Sequence, residues 1–410
     1  MSGELRARWG QPLTGIVSFI VFFLIAWITW FIFSDPRGPV GAFPYPFVMY
    51  LAMMILVGIW QHMFCGDWPF QDIAQPVRGI ILTLVNLLIV WLVIHVFFYR
   101  ILGLGFNFLS QSNLNELVYA GALKDVALTK HFAQSAVVCF VLIGFYSYPF
   151  VTILFGKWPV RPSDLPQPQA GLAELGWCSM LTLVFYSVLI VPFWGLVFGQ
   201  SIGNSFGLNI PWWDGIAGIS HVHWVFGWWE WMIIILFMTP NVWRMKPWTL
   251  IPLPQPWKGA ISFVINLILG YGMALLCVKI APAWLGEMLH HIDKDAERIR
   301  FLWYHAAEIA GFTLIPFLIW HHYFDDLVPF SDVDSWGSFW FRTGGVLFFC
   351  IINYILFYYT NFGSWALGNP HWDHRFLHGE SLVWNFWWII PLLWNEWFFH
   401  KWPFYVSHKQ

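Results

Sequence analysis

Across 410 residues, hydrophobic side chains occupy 59% of positions and charged ones 10%, with a mean hydropathy of +0.61. A water-soluble globule needs about a quarter of its residues charged to cover its surface. A cytosolic enzyme, a secreted domain and a disordered chain are therefore excluded, and lipid is the solvent for most of the outside. The net charge of −2 and pI near 6.7 lack the basic face that nucleic-acid binders carry.

Apolar windows long enough to cross a hydrocarbon core of ~30 Å fall, in chain order, at 13–34, 45–64, 79–102, 131–155, 175–202, 217–239, 259–282, 299–323, 337–360 and 381–400. The first is too long for a signal-peptide core and lacks a small-residue cleavage site, so it reads as a retained span. Pro149, Pro192, Pro240, Pro316 and Pro391 interrupt or end spans, which membrane helices tolerate when neighbours satisfy the freed carbonyls. The segments are continuous and about twice the length of barrel strands. The expected fold is an all-α polytopic integral membrane protein of about ten helices. Two amphipathic stretches, Asn113–Lys130 and Leu285–Arg300, read as short helices lying at the interface.

A recurring word closes the even-numbered spans: Gly66-Asp-Trp-Pro69, Gly156-Lys-Trp-Pro159, Lys246-Pro247-Trp248, Leu327-Val-Pro329 and Lys401-Trp-Pro403. Nine residues before each proline stand Trp60, Phe150, Met238, Trp320 and Trp394. The chain thus reads as one transmembrane domain, 1–410, of five hairpin repeats at 13–70, 79–160, 175–248, 259–330 and 337–404. Lys and Arg are slightly more numerous on the face bearing the termini, which favours both termini in the cytoplasm of a bacterial-type inner membrane.

Cys65, Cys139, Cys178, Cys277 and Cys350 are scattered and form no C-x-x-C, which argues against an iron–sulfur cluster, a zinc ribbon or covalent haem. No nucleotide-binding loop is present, so no nucleotide partner is expected.

Histidine carries the functional signal. His221 and His223 open the sixth span with Glu230 deeper in it, and His305-Ala-Ala-Glu308 opens the eighth. His371, Asp373, His374 and His378 fill the loop before the tenth. His223 and His305 both lie 24 residues before the proline of their repeat, the placement expected if two helices hold a haem or a transition metal (Cu, Fe or Zn) between them. His223 and His305 are the expected cofactor ligands. His221, Glu308, His371, Asp373, His374 and His378 are further candidate metal ligands, and Glu230 and Glu308 are the candidate catalytic or relay carboxylates. Trp224, Trp228, Trp229 and Trp231 around Glu230 would suit a porphyrin or quinone wall.

The leading expectation is a membrane metalloprotein with a redox centre near the extracytoplasmic face, working beside other membrane or extracytoplasmic redox subunits. The alternatives are a secondary transporter or channel that uses the intramembrane carboxylates and histidines, and a non-catalytic anchor subunit. A second polar group, His62, His321, His322, Asp325, Asp326, Glu396 and His400, gathers on the terminal face. There a histidine and an aspartate four residues apart would share a helix face and could chelate a divalent ion, the plainer alternative being a solvated helix end.

Overall fold

The computed structural model describes residues 5–43, 46–104, 126–160, 165–189, 222–290, 292, 295–368 and 380–407. Apart from one pair of three-residue strands, the ordered elements in it are helical. Among the described residues, seven helices are long and apolar enough to cross a membrane. The chain is an all-α integral membrane protein.

Ten helices order the description: α1 (Leu13–Phe33), α2 (Phe47–Phe64), α3 (Val77–Leu104), α4 (Ala136–Leu154, continuing a helix that begins at Val126), α5 (Gln169–Leu189), α6 (Val222–Asn241), α7 (Trp257–Gly286), α8 (Phe301–Tyr323), α9 (Trp336–Tyr358) and α10 (Glu380–Trp397). The expected interfacial stretch at 285–300 is partly covered by helices Pro282–His290 and Asp295–Gly311. The one at 113–130 lies almost wholly outside the described residues.

Burial divides the helices into two classes. In the apolar windows of α2, α4 and α8, 67%, 83% and 72% of residues are buried, against 22–28% in α1, α3, α7 and α9. The even-numbered helices form the interior, each packed on the next: α2 on α4, α4 on α6, α6 on α8, α8 on α10, and α10 back on α2. The odd-numbered helices lie outside them with Ile, Leu, Phe and Trp turned outward, which is where lipid replaces water as solvent.

The same contact fixes each outer helix. Four of them follow a Gln-Pro-x-x-Gly sequence, at Gln11, Gln75, Gln167 and Gln255. Proline presets φ just before the first turn, where no N–H is needed. The glutamine amide then donates to the carbonyl that ends an inner helix: Gln11 to Tyr323, Gln75 to Phe398, Gln167 to Phe64 and Gln255 to Leu154, at 2.7–2.8 Å. Before α9 there is no such sequence, and the buried Arg342 donates to Val242 O at 2.7 Å instead. The glycine four residues on lets an inner helix end press close. A Cβ at Gly15, Gly79 or Gly259 would stand 2.5–2.7 Å from the rings of Phe324, Phe399 and Phe155.

The inner helices end alike as well. Two consecutive left-handed residues close each: Gly66-Asp67, Gly156-Lys157, Arg244-Met245, Asp325-Asp326 and His400-Lys401. The second of each pair donates its N–H to the carbonyl six residues back, as Asp67 does to Gln61 and Lys401 to Asn395. Carbonyls at the helix end are thereby satisfied. Left-handed non-glycine residues cost about 1 kcal/mol each, and apart from Met245, which packs on the core, the non-glycine side chains at these positions make polar contacts. Finally, β1 (Leu5–Ala7) pairs antiparallel with β2 (Tyr405–Ser407), so the two ends of the described chain meet.

Candidate functional site

The inner helices enclose a cavity of ≈ 250 Å³ to which all five contribute. Counted from the anchored carbonyls of Phe64, Leu154, Val242, Tyr323 and Phe398, its wall repeats. Nine residues earlier come Ile55, Phe145, Ile233, Leu314 and Ile389. Five residues earlier come Ile59, Pro149, Phe237, Leu318 and Leu393. One residue earlier come Met63, Ile153, Asn241, His322 and Trp397. Steps of four residues keep a single face of each helix turned to the cavity.

Twelve residues before the anchors the wall is incomplete. Leu142, Glu230 and Phe386 line it there, while the other two helices have Ala52 and Gly311. Glu230 is 4% exposed, and its Oε1 has no hydrogen-bond partner among the described residues. Thr152 and Asn241, the neutral polar residues of the wall, are tied to carbonyls of their own helices, Tyr148 O and Phe237 O. A carboxylate in such surroundings either stays protonated or binds a cation. Trp228 and Trp229 donate to the Leu267 and Leu142 carbonyls, which locks them into helix packing, and the side chain of Trp224 lies outside the described residues.

At the other end of the cavity, His322 connects to polar groups. Its Nδ1 is 3.5 Å from Glu396 Oε1, and Glu396 Oε2 is 3.5 Å from Lys401 Nζ. Three further sets surround this mouth. His321 Nδ1 meets Asp326 Oδ1 at 2.9 Å. Asp325 accepts from Gln11 and from the Tyr405 hydroxyl, both at 2.7 Å. Asp67 lies between two imidazoles, with His62 Nδ1 at 3.0 Å and His400 Nε2 at 2.9 Å. Burial alone would raise the Asp67 carboxyl, but the hydrogen bonds from His400 and His62, with their charge, outweigh it and hold it below the usual carboxylate range. Burial, with Asp325 beside it, pushes the Tyr405 hydroxyl upward. The expected spacing was one residue short: the left-handed turn carries Asp326 back over His321, five residues away.

Toward the opposite end of α8, His305 and Glu308 belong to a buried polar cluster. Trp284 Nε1 donates to the Tyr354 hydroxyl at 2.8 Å, and that hydroxyl meets His305 Nε2 at 2.6 Å. The Tyr358 hydroxyl donates to Glu308 Oε2 at 2.5 Å, and His305 Nδ1 stands 3.4 Å from the same oxygen. If the Tyr354 hydroxyl, which accepts from Trp284, donates to Nε2, the imidazole proton sits on Nδ1, and that nitrogen is buried with no hydrogen-bond partner among the described residues. Glu308 and His305, adjacent on the helix as their i,i+3 spacing requires, are brought together. His223 lies in α6, but its side chain is outside the described residues. His221, His371, Asp373, His374 and His378 are outside them too. Counted from the carbonyl anchors, His223 and His305 fall one residue out of register, at 19 and 18 residues, because the loop after Tyr323 is one residue longer than its counterparts.

Glu174 was not singled out by its sequence. It is buried at the start of α5 and paired with Lys157 at 3.1 Å. Its signal was the Gln-Pro-x-x-Gly sequence three residues before it. Comparison with family models, with curated proteins and with solved structures returns no match.

Proposed function

We propose that the chain is a cation-transporting membrane protein, a channel or carrier, in which five helical hairpins form a ring and the route runs along its centre. In this reading the ten labelled helices all cross the bilayer, both termini are cytoplasmic as the loop charges favour, and the hairpins are copies of one plan. One observation carries it: a cavity walled by equivalent positions of five helices holds a buried carboxylate with no described partner. Isoleucine, leucine and phenylalanine rings make a route that water enters poorly, the arrangement of an apolar gate. Glu230 is the group that neutralises a cation or accepts a proton within it. His322, Glu396 and Lys401 extend the polar path to the terminal face. Protons and small monovalent cations are the expected cargo, since one carboxylate cannot strip the water from a divalent ion.

Reconstitution tests this directly. Liposomes containing the protein are expected to conduct protons or a monovalent cation, and Glu230→Gln is expected to abolish the flux while preserving elution as a monodisperse species. Flux unaltered by that change, or no flux with any small cation, refutes the proposal.

A redox centre held by His223 and His305, with haem or a transition metal, is the second reading. The buried His305–Tyr354–Tyr358–Glu308 network is the observation in its favour, because neighbouring tyrosine and histidine can exchange a proton as an electron moves. It calls for a coloured protein whose spectrum is lost in His223→Ala.

A further inference from the structure

We propose that His62, Asp67 and His400 form a binding site for a divalent transition-metal ion of the zinc class, placed at the seam where the last inner helix packs against the first. Their donor atoms all lie within 4.8 Å of one another. A tetrahedral ion with bonds of about 2.0–2.1 Å sets its donors about 3.3 Å apart. Each imidazole nitrogen already lies near that distance from one oxygen of the Asp67 carboxylate, His62 Nδ1 3.0 Å from Oδ1 and His400 Nε2 2.9 Å from Oδ2, and side-chain rotations bring one donor from each residue around a common centre. The donor set, two imidazoles and a carboxylate, suits zinc, cobalt and nickel better than calcium or magnesium, which take oxygen donors.

The site is built rather than accidental in three respects. The Asp67 side chain is 5% exposed, whereas His62 and His400 are 31% and 37% exposed, so the carboxylate is fixed inside and the rings border an opening with room for a water ligand. The rings stand perpendicular, with centroids 6.0 Å apart, on either side of the carboxylate. Backbone conformation holds two of the donors. Asp67 and His400 both have positive φ, and the Asp67 N–H is bonded to Gln61 O, while the His62 ring stacks on Trp397. A related pair, His321 and Asp326 at 2.9 Å, gains no third donor among the described residues and serves as an internal control. Because His62 and Asp67 sit at the end of the first inner helix and His400 just past the last, a bound ion would tie the first and last inner helices together.

The test uses full-length protein in detergent, stripped with chelator and titrated with Co(II). One equivalent is expected to bind with the visible absorption of tetrahedral cobalt, to be displaced by Zn(II), and to raise the unfolding temperature. His400→Gln and His62→Gln, both at half-exposed positions, are expected to weaken binding at least ~100-fold, as loss of a ligand exceeds loss of an outer contact. His321→Gln is expected to leave it intact. Absence of cobalt binding by the unaltered protein overturns the proposal. So does binding that survives both substitutions, or that His321→Gln removes.

Discussion

At Gly79 a single methyl group would stand 2.5 Å from the Phe399 ring, in a helix that faces lipid on its other side. Such a ring, wedged at the end of an inner helix, has little freedom to retreat. Gly79→Ala is therefore expected to destabilise the protein by about 1–3 kcal/mol. Gly272, in α7, meets nothing within 4 Å, and Gly272→Ala is expected to be neutral or stabilising by up to about 1 kcal/mol. Thermal unfolding in detergent separates the two, and equal effects would remove the packing argument. Composition cannot distinguish these glycines; the Gln-Pro that precedes one and not the other does. Glu230 was legible for a different reason. A charge inside an apolar run is conspicuous whatever surrounds it, whereas the lack of a described partner for its Oε1 depends on how distant parts of the chain pack.

An outer helix is held at its start by one side chain, and that makes the glutamine contact measurable. Gln167 joins the Phe64 carbonyl to the Gly171 N–H, at 2.8 and 3.3 Å. Gln167→Leu leaves both groups without it in a partly buried place, and a loss of about 1–3 kcal/mol is expected. Gln75→Leu and Gln255→Leu should cost similar amounts, and because the three sites share no partner the losses should add. Denaturant titration of the single and triple variants checks both points; a triple variant no worse than one single change would contradict them. The spans could be read from hydropathy because length and apolarity are local properties. The order inside–outside was less plain, since the outer helices are only on the whole more apolar than the inner ones, the two ranges overlap, and what separates them cleanly is what covers them. The glutamine contact was hidden by the fifth hairpin, where Arg342 takes the role from within the helix, and by the extra residue after Tyr323 that also misaligned His223 with His305.

For the molecule as a whole, the decisive arrangement is that the start of each outer helix meets the end of an inner helix far from it in the chain, as Gln167 reaches Phe64 and Gln11 reaches Tyr323. No hairpin buries its own apolar face alone, so the stability is shared around the assembly. Sequence spacing suggested the repeat and the turn at each helix end. The cavity is a product of closure and had no signature beyond Glu230 and His322. The strand pair Leu5–Ala7 with Tyr405–Ser407 has a consequence of its own. Because these two strands lie side by side, a short linker could join them without disturbing the helices between. A circular permutant in which Leu5 and Ser407 are joined by a short linker and the backbone is opened at the exposed Leu253, between α6 and α7, should fold and, if the proposed transport is correct, show the same flux. Insertion into liposomes followed by the same flux assay decides it. An aggregated or inert permutant would mean that the order of synthesis, and not only the final contacts, is needed to assemble this protein.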